Sequence, residues 1–94
     1  MPFATGFVPT SRAQRYIKQL VSHFGNKVST ELTDSGGLIE FDFGRCALET
    51  TADGIQLVAS ADSAEQVTTV QDVVARHLER FGAAEDLRVA WRAD

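Results

Sequence analysis

The chain has 94 residues, of which 44% are hydrophobic and 23% are charged. This length suits one domain with a single core and leaves too few residues for a second. The net charge of -4 argues against a nucleic-acid-binding protein, because phosphate backbones are bound mainly by clustered lysine and arginine. We therefore expect residues 1–94 to form one domain that does not bind nucleic acid.

The cysteine count and the N-terminal segment favour the cytoplasm. A single cysteine cannot form an internal disulfide, and no cysteine spacing indicates zinc, which fits a reducing compartment. Residues 1–9 lack a basic region followed by a long apolar run, and no stretch approaches the roughly 20 apolar residues of a membrane-spanning helix. We expect a cytoplasmic protein that is not inserted into a membrane.

Residues 3–26 predict a short strand or arm followed by an amphipathic helix. Phe3–Val8 is apolar, and Pro9 favours an extended conformation at the residue before it. Thr10 or Ser11 is expected to cap the helix. Its apolar residues recur at helical spacing: Ala13, Tyr16, Ile17, Leu20, Val21 and Phe24. The helix should end at Gly25–Asn26, two residue types that readily take a left-handed conformation.

Four short strands follow, joined by turns that contain glycine. The predicted strands are Val28–Leu32, Leu38–Phe43, Cys46–Thr51 and Ile55–Ser60. The second has the clearest pattern, because apolar residues on one face alternate with carboxylates on the other. The turns are expected to place glycine where a hairpin needs a positive φ; they are Asp34–Gly37, Gly44–Arg45 and Ala52–Gly54. Connections this short force antiparallel neighbours, because a parallel crossover needs about a dozen residues or more.

The second helix has the strongest terminal signals in the chain. Asp62 and Glu65, three residues apart, resemble a capping box, and acidic side chains suit the positive end of the helix dipole. Arg76 and Arg80 lie near the negative end, and Gly82 is the natural stop.

A last strand completes the predicted fold. Leu87, Val89 and Trp91 alternate with the residues between them, as in a half-buried strand. The element order is α-β-β-β-β-α-β, with an extra N-terminal strand if Phe3–Val8 pairs with the sheet. One-faced helices beside an alternating sheet predict an α+β two-layer sandwich, an antiparallel meander with both helices on one face.

Each predicted helix carries a histidine close to the C-terminal end of its apolar stripe. His23 precedes Phe24 in the first helix, and His77 precedes Phe81 in the second. If the helices lie side by side, both imidazoles reach one region at the edge of the core, where ligands or protons can be handled. The alternative is structural: His77 bonded to a carbonyl or carboxylate, and His23 half-exposed in a C-terminal turn, favourable to the helix dipole.

One function that fits these residues is a binding or accessory domain for a protein partner or small ligand. The ligand would lie in the cleft between the helix ends and the sheet. His23 and His77 would supply polar contacts there, and Phe24, Phe81 and Trp91 would form apolar walls. The sequence identifies no cofactor.

Two other functions remain open. A metal- or redox-active enzyme would use His23, His77 and Cys46, because imidazole and thiolate suit zinc, copper or iron. The alternative for Cys46 is a buried and inert thiol. A structural homodimer would pair an uncovered sheet face or an edge strand with its copy.

Several segments resemble a bacterial family of small domains of unknown function. The similarity extends from about Phe7 to Arg92, and its most distinctive parts are the histidine-containing helix ends. It is carried by Tyr16–Leu20, His23–Val28, Gly44–Leu48, His77–Phe81, Glu85, Leu87, Val89 and Trp91. Members occur alone or joined to siderophore-interacting flavoproteins, so the resemblance implies a link to ferric-siderophore handling and implies no catalytic residues. This chain has Asn26 where members often carry a further histidine, so a three-histidine metal site is not implied here.

Overall fold

The computed structural model describes residues 2–93, with only the backbone of Ala93, and confirms the α+β fold class. Its elements are β1 Phe3–Pro9, α1 Ala13–Phe24, β2 Ser29–Thr33, β3 Gly36–Phe41, β4 Gly44–Thr50, β5 Gly54–Ser60, α2 Ala64–Phe81, a 3-10 turn Ala83–Glu85, and β6 Ala90–Ala93. The strands form one antiparallel sheet in the order β2-β3-β4-β5-β1-β6. The predicted meander spans β2 to β5, and the N-terminal strand is a full member of the sheet.

Both helices pack on the same face of this sheet. α1 lies mainly over β2 and β3, and α2 lies over β4, β5 and β1. Alternate residues of the central strands point into the core, as in Cys46 and Leu48 of β4. The first helix contributes the residues that its spacing predicts, which are Ala13, Tyr16, Ile17, Leu20, Val21 and Phe24. The second helix contributes Val67, Val70, Val74 and Leu78 at the same helical spacing. A single hydrophobic core therefore lies between the two layers.

No element of residues 2–93 covers the opposite face of the sheet. Phe3 lies on that face, because its strand neighbour Ala4 points into the core, and 42% of its surface is exposed.

Neither helix combines the length and hydropathy that a bilayer crossing requires within the part of the chain described.

The hairpin turns differ from the prediction. β3 and β4 are joined by the two residues Asp42 and Phe43, with Phe41 paired to Gly44, so Gly44–Arg45 belongs to β4 and not to the turn. Gly44 has a positive φ of 156°, and no other glycine of residues 2–93 does. Gly36 and Gly54 serve a different need: a β-carbon on either would collide with the backbone of the neighbouring strand. Close strand approach, and not positive φ, therefore requires those glycines.

The helix ends also differ in detail. Thr10 accepts a hydrogen bond from the Arg12 amide at 3.1 Å, but the N-cap residue of α1 is Arg12. α1 ends at Phe24 with Gly25 as its C-cap, as predicted, but Gly25 has φ -60° and ψ -17°, which is the right-handed helical conformation and not the left-handed one. The left-handed residue is Asp86, with φ 56°, which follows the 3-10 turn after α2. Because the 3-10 turn follows α2, β6 begins only at Ala90, later than the predicted strand that included Leu87. Leu87 is instead a buried core residue before the last strand.

The N-cap of α2 is one residue later than predicted. Ser63, and not Asp62, is the N-cap, and its hydroxyl oxygen accepts a hydrogen bond from the Gln66 amide at 3.2 Å. The Ser63 hydroxyl also lies within donating distance of Gln66 Oε1, at 3.3 Å. The N-cap is therefore Ser63, one residue later than the predicted Asp62, and the Gln66 side chain contacts the Ser63 hydroxyl and not the Ser63 backbone N–H that a capping box uses.

We expect the substitution Ser63→Ala to lower the free energy of unfolding by about 1 kcal/mol, because one amide of the first turn loses its partner. Asp62→Asn is the matched control. It should lower the free energy of unfolding by less than about half of that amount, because the Asp62 side chain does not cap the helix. Urea unfolding followed by circular dichroism measures both. An equal loss in the two variants, or a larger loss at Asp62, would contradict the assignment of the cap.

Candidate ligand-binding site at the helix ends

The ends of α1 and α2 and the turn between β3 and β4 bring six rings into one continuous group, here called the ring cluster. Its members are His23, Phe24, Phe41, Phe43, His77 and Phe81. Helical periodicity supplies four of them, because they lie on or beside the apolar stripes that face the sheet. The cluster therefore lies at the edge of the core, where the helix layer meets the β3–β4 hairpin.

The two histidines occupy the centre of the ring cluster. Their ring centroids are 4.9 Å apart, with an angle of 45° between the planes. Phe24 lies 4.8 Å from the His77 ring, and Phe81 lies 5.6 Å from the His23 ring. These separations fall in the range in which aromatic rings attract one another in tilted or edge-to-face arrangements. The predicted approach of the two imidazoles is present in the structure.

The residues of the ring cluster differ in how much of their surface is exposed to solvent. Phe24 is buried, with 8% of its surface exposed, whereas His77 and Phe81 are half-buried and His23 is exposed. Solvent therefore reaches the imidazoles, while the phenylalanines beneath them are held by the core. The ring cluster therefore places accessible imidazoles beside phenylalanine rings that pack against the core.

His77 is oriented by a backbone hydrogen bond. Its Nδ1 lies 2.7 Å from the carbonyl oxygen of Val73, one helical turn earlier. A carbonyl oxygen only accepts, so Nδ1 carries the proton, and the neutral ring then has its lone pair on Nε2. The expected structural role of His77 is thus present, and it leaves the other ring nitrogen available for a ligand.

Sequence reasoning missed Phe41 and Phe43 as site residues. Their rings stack at 4.9 Å with 13° between the planes, and Phe41 also meets Phe24 edge-on at 5.1 Å. The alternation around Glu40 and Asp42 was a usable signal, but predicting the turn two residues too late hid the position of Phe43. A cavity of about 230 Å³ lies beside this stacked pair. Its polar lining comes from Glu40, Asp42, Arg45, Ser60, Asp62 and Gln66.

The structure does not bring Trp91 to the ring cluster. Trp91 lies on the edge strand β6 opposite Gly6, and a β-carbon on that glycine would come within 2.7 Å of the indole ring. Four strand positions separate β6 from β3, which is roughly 19 Å at ordinary strand spacing. Trp91 instead borders a separate groove of about 450 Å³ along β1 and β6.

Cys46 is placed in the core, on the covered face of β4. Its side chain is fully buried, and burial raises the pKa of the thiol to about 12. A thiol at neutral pH is a poor nucleophile and a poor metal ligand, since both roles need the thiolate. Among residues 2–93, no three His, Cys, Asp or Glu side chains come together as a group that could hold a metal ion.

Fold and site together define a small α+β domain in which two histidines lie next to each other in the ring cluster, beside four phenylalanines. The chain belongs to a bacterial protein family, DUF2218, described as "Uncharacterized protein conserved in bacteria", whose family model matches residues 5–92. This confirms the resemblance to a family of unknown function.

A solved structure shares the whole fold. The NMR structure of PA4090 from Pseudomonas aeruginosa is 34% identical in sequence and superimposes with a TM-score of 0.83, covering 98% of this chain and 96% of that one. No curated protein matches the sequence.

The buried thiol predicts a pH dependence of stability. The ordinary pKa of 9.0 applies to the unfolded chain, and the folded value is about 12. The unfolded state therefore loses this proton first, so the contribution of Cys46 to stability is complete below the unfolded pKa and is lost as the pH rises towards the folded one. We expect the urea midpoint to fall more between about pH 8 and about pH 10.5 in the natural protein than in a Cys46→Ala variant. Equal losses would contradict a thiol that stays protonated in the fold.

Proposed function

We propose that this protein is a non-enzymatic binding domain that holds a small ligand or a short segment of a partner protein on the ring cluster. The observation that carries the proposal is the 4.9 Å approach of two imidazoles from different helices at the centre of six rings. Contact with the ligand is assigned to His23, His77, Phe24 and Phe81.

The chemistry of the surface supports binding over catalysis. Phe81 offers a half-buried apolar ring packed against the core, and the buried Phe24 supports the imidazoles from the core side. Apolar surface with a few polar groups is the usual make-up of a binding site. Each imidazole can donate or accept a hydrogen bond, depending on its protonation. A ligand that is planar and carries hydrogen-bonding groups at its edge would match both features.

We expect planar phenols and aromatic carboxylates to shift the amide signals of residues 23, 24, 77 and 81 in NMR titrations. Phe81→Ala should weaken that binding by about fivefold or more, which corresponds to about 1 kcal/mol of lost contact. The control is Phe3→Ala, which removes an exposed ring from the opposite face of the sheet. Circular dichroism confirms that both variants fold.

The proposal fails if no compound of this set shifts the ring-cluster signals, or if Phe3→Ala and Phe81→Ala weaken binding equally. Shifts confined to residues 5–7 and 90–92 would move the site to the groove beside Trp91 and would also overturn it.

A role in ferric-siderophore handling is a further part of the proposal, supported by the family resemblance alone. The probe is a ferric catecholate complex in the same titration, because high-spin iron broadens the signals of nearby residues. Broadening centred on His23 and His77 supports this role, and uniform or absent broadening rejects it.

A second candidate function is a homodimer formed through the uncovered face of the sheet. Phe3 is the observation that favours it, because a dimer formed through the uncovered face would remove the 42% exposed ring of this residue from water. We expect light scattering over a concentration series to show a dimer that Phe3→Ser weakens. Leu32→Ser is the matched control, since Leu32 is 44% exposed on β2 but lies on the opposite side of the sheet. A monomer at every concentration would remove this candidate.

A further inference from the structure

We propose that His23 and His77 together bind one divalent first-row transition-metal ion, such as Zn²⁺ or Cu²⁺, with the Nε2 atom of His77 as one ligand and a ring nitrogen of His23 as the other. This inference rests on the proposed function, because it names the chemical class of ligand for the same surface.

The spacing of the rings fits this chemistry. Two nitrogens bound to one tetrahedral ion at about 2.0 Å each lie about 3.3 Å apart, and each nitrogen is only about 1 Å from its ring centre. Ring centroids 4.9 Å apart are therefore compatible with both rings binding one ion, with His77 held by its hydrogen bond to Val73 and the exposed His23 side chain rotating to meet it.

The hydrogen bond of His77 prepares it for this role. A metal-binding histidine usually donates its second ring N–H to a carbonyl or carboxylate, which fixes the tautomer and orients the ring. Val73 supplies that carbonyl oxygen at 2.7 Å from Nδ1. The lone pair on Nε2 is thus set by the helix backbone before any ion arrives.

The remaining coordination positions are open. Cys46 lies in the core with its thiol protonated, and no third His, Cys, Asp or Glu of the described residues joins the pair. An ion held by two imidazoles keeps at least two positions for water or for donor atoms of a second molecule, unlike a closed structural site. His23 is exposed, so that molecule can approach from solvent and contact Phe81 as it binds.

The imidazole ligands also decide which ions are suitable. Borderline ions such as Zn²⁺, Cu²⁺ and Ni²⁺ prefer imidazole, whereas Mg²⁺ and Ca²⁺ prefer oxygen ligands. We therefore expect the site to bind Zn²⁺ and to ignore Mg²⁺ at the same concentration.

The test is isothermal titration of ZnCl₂ into the protein produced without a histidine tag, combined with NMR of the histidine Cε1–H signals. The expected result is one ion per chain, with both Cε1–H signals shifted. His23→Gln and His77→Gln should each weaken binding by at least about tenfold, and the double variant should lose little more than either single one, because the two ligands act as a unit.

Cys46→Ala is the matched control and should leave Zn²⁺ binding unchanged. The inference is overturned by the absence of binding, by one ion per two chains, by binding that survives His77→Gln, or by loss of binding in Cys46→Ala. Circular dichroism of each variant excludes loss of the fold as the cause, and His23→Gln alters only an exposed side chain.

The two proposals can fail separately. If aromatic compounds shift the ring cluster while Zn²⁺ does not bind, the metal inference is wrong and the binding function stands. If Zn²⁺ binds as described and no aromatic compound does, the metal site stands and the aromatic-ligand proposal is wrong.

Discussion

The structure depends on one constraint: two amphipathic helices bury their apolar stripes against the same face of a single sheet. Ile17 of α1, Leu57 of β5 and Val74 of α2 are all fully buried in this one core. Each such side chain stabilises the fold by about 1.5–3 kcal/mol relative to exposure. Because no element of residues 2–93 covers the other face, the whole core comes from this one interface, and the relative positions of the helices follow from it.

The site is a consequence of the same packing. His77 stands one turn after Val73 on α2, so burial of the α2 stripe carries its ring to the boundary between core and solvent. His23 reaches the same boundary from α1 beside the buried Phe24. A hydrogen bond from the Tyr16 hydroxyl to Glu85, at 3.0 Å, joins the segment after α2 to α1 and supports this alignment. The pair of imidazoles is therefore held by tertiary contacts on both helices.

The differences between prediction and structure have local physical causes. Ser63, and not Asp62, is the N-cap of α2. The Ser63 hydroxyl oxygen accepts the hydrogen bond of the Gln66 amide in the first turn, so the cap lies one residue later than predicted. The β3–β4 turn falls at Asp42 and Phe43 because the sheet register pairs Phe41 with Gly44. That register stacks the ring of Phe43 on Phe41 and adds both residues to the site. Strand identity was readable from alternation, but the residues at each turn were decided by pairing across the sheet.

The sequence by itself determined the elements, their apolar faces and the α+β class, since helical and strand periodicities are local properties of neighbouring residues. It also indicated that His23 and His77 lie close to the C-terminal ends of their helices' apolar stripes. Only the tertiary structure decided that these rings come within 4.9 Å, that Trp91 lies at the β6 edge, and that Cys46 is sealed in the core. Those facts depend on strand order and helix packing, which join residues far apart in the chain and leave no local pattern.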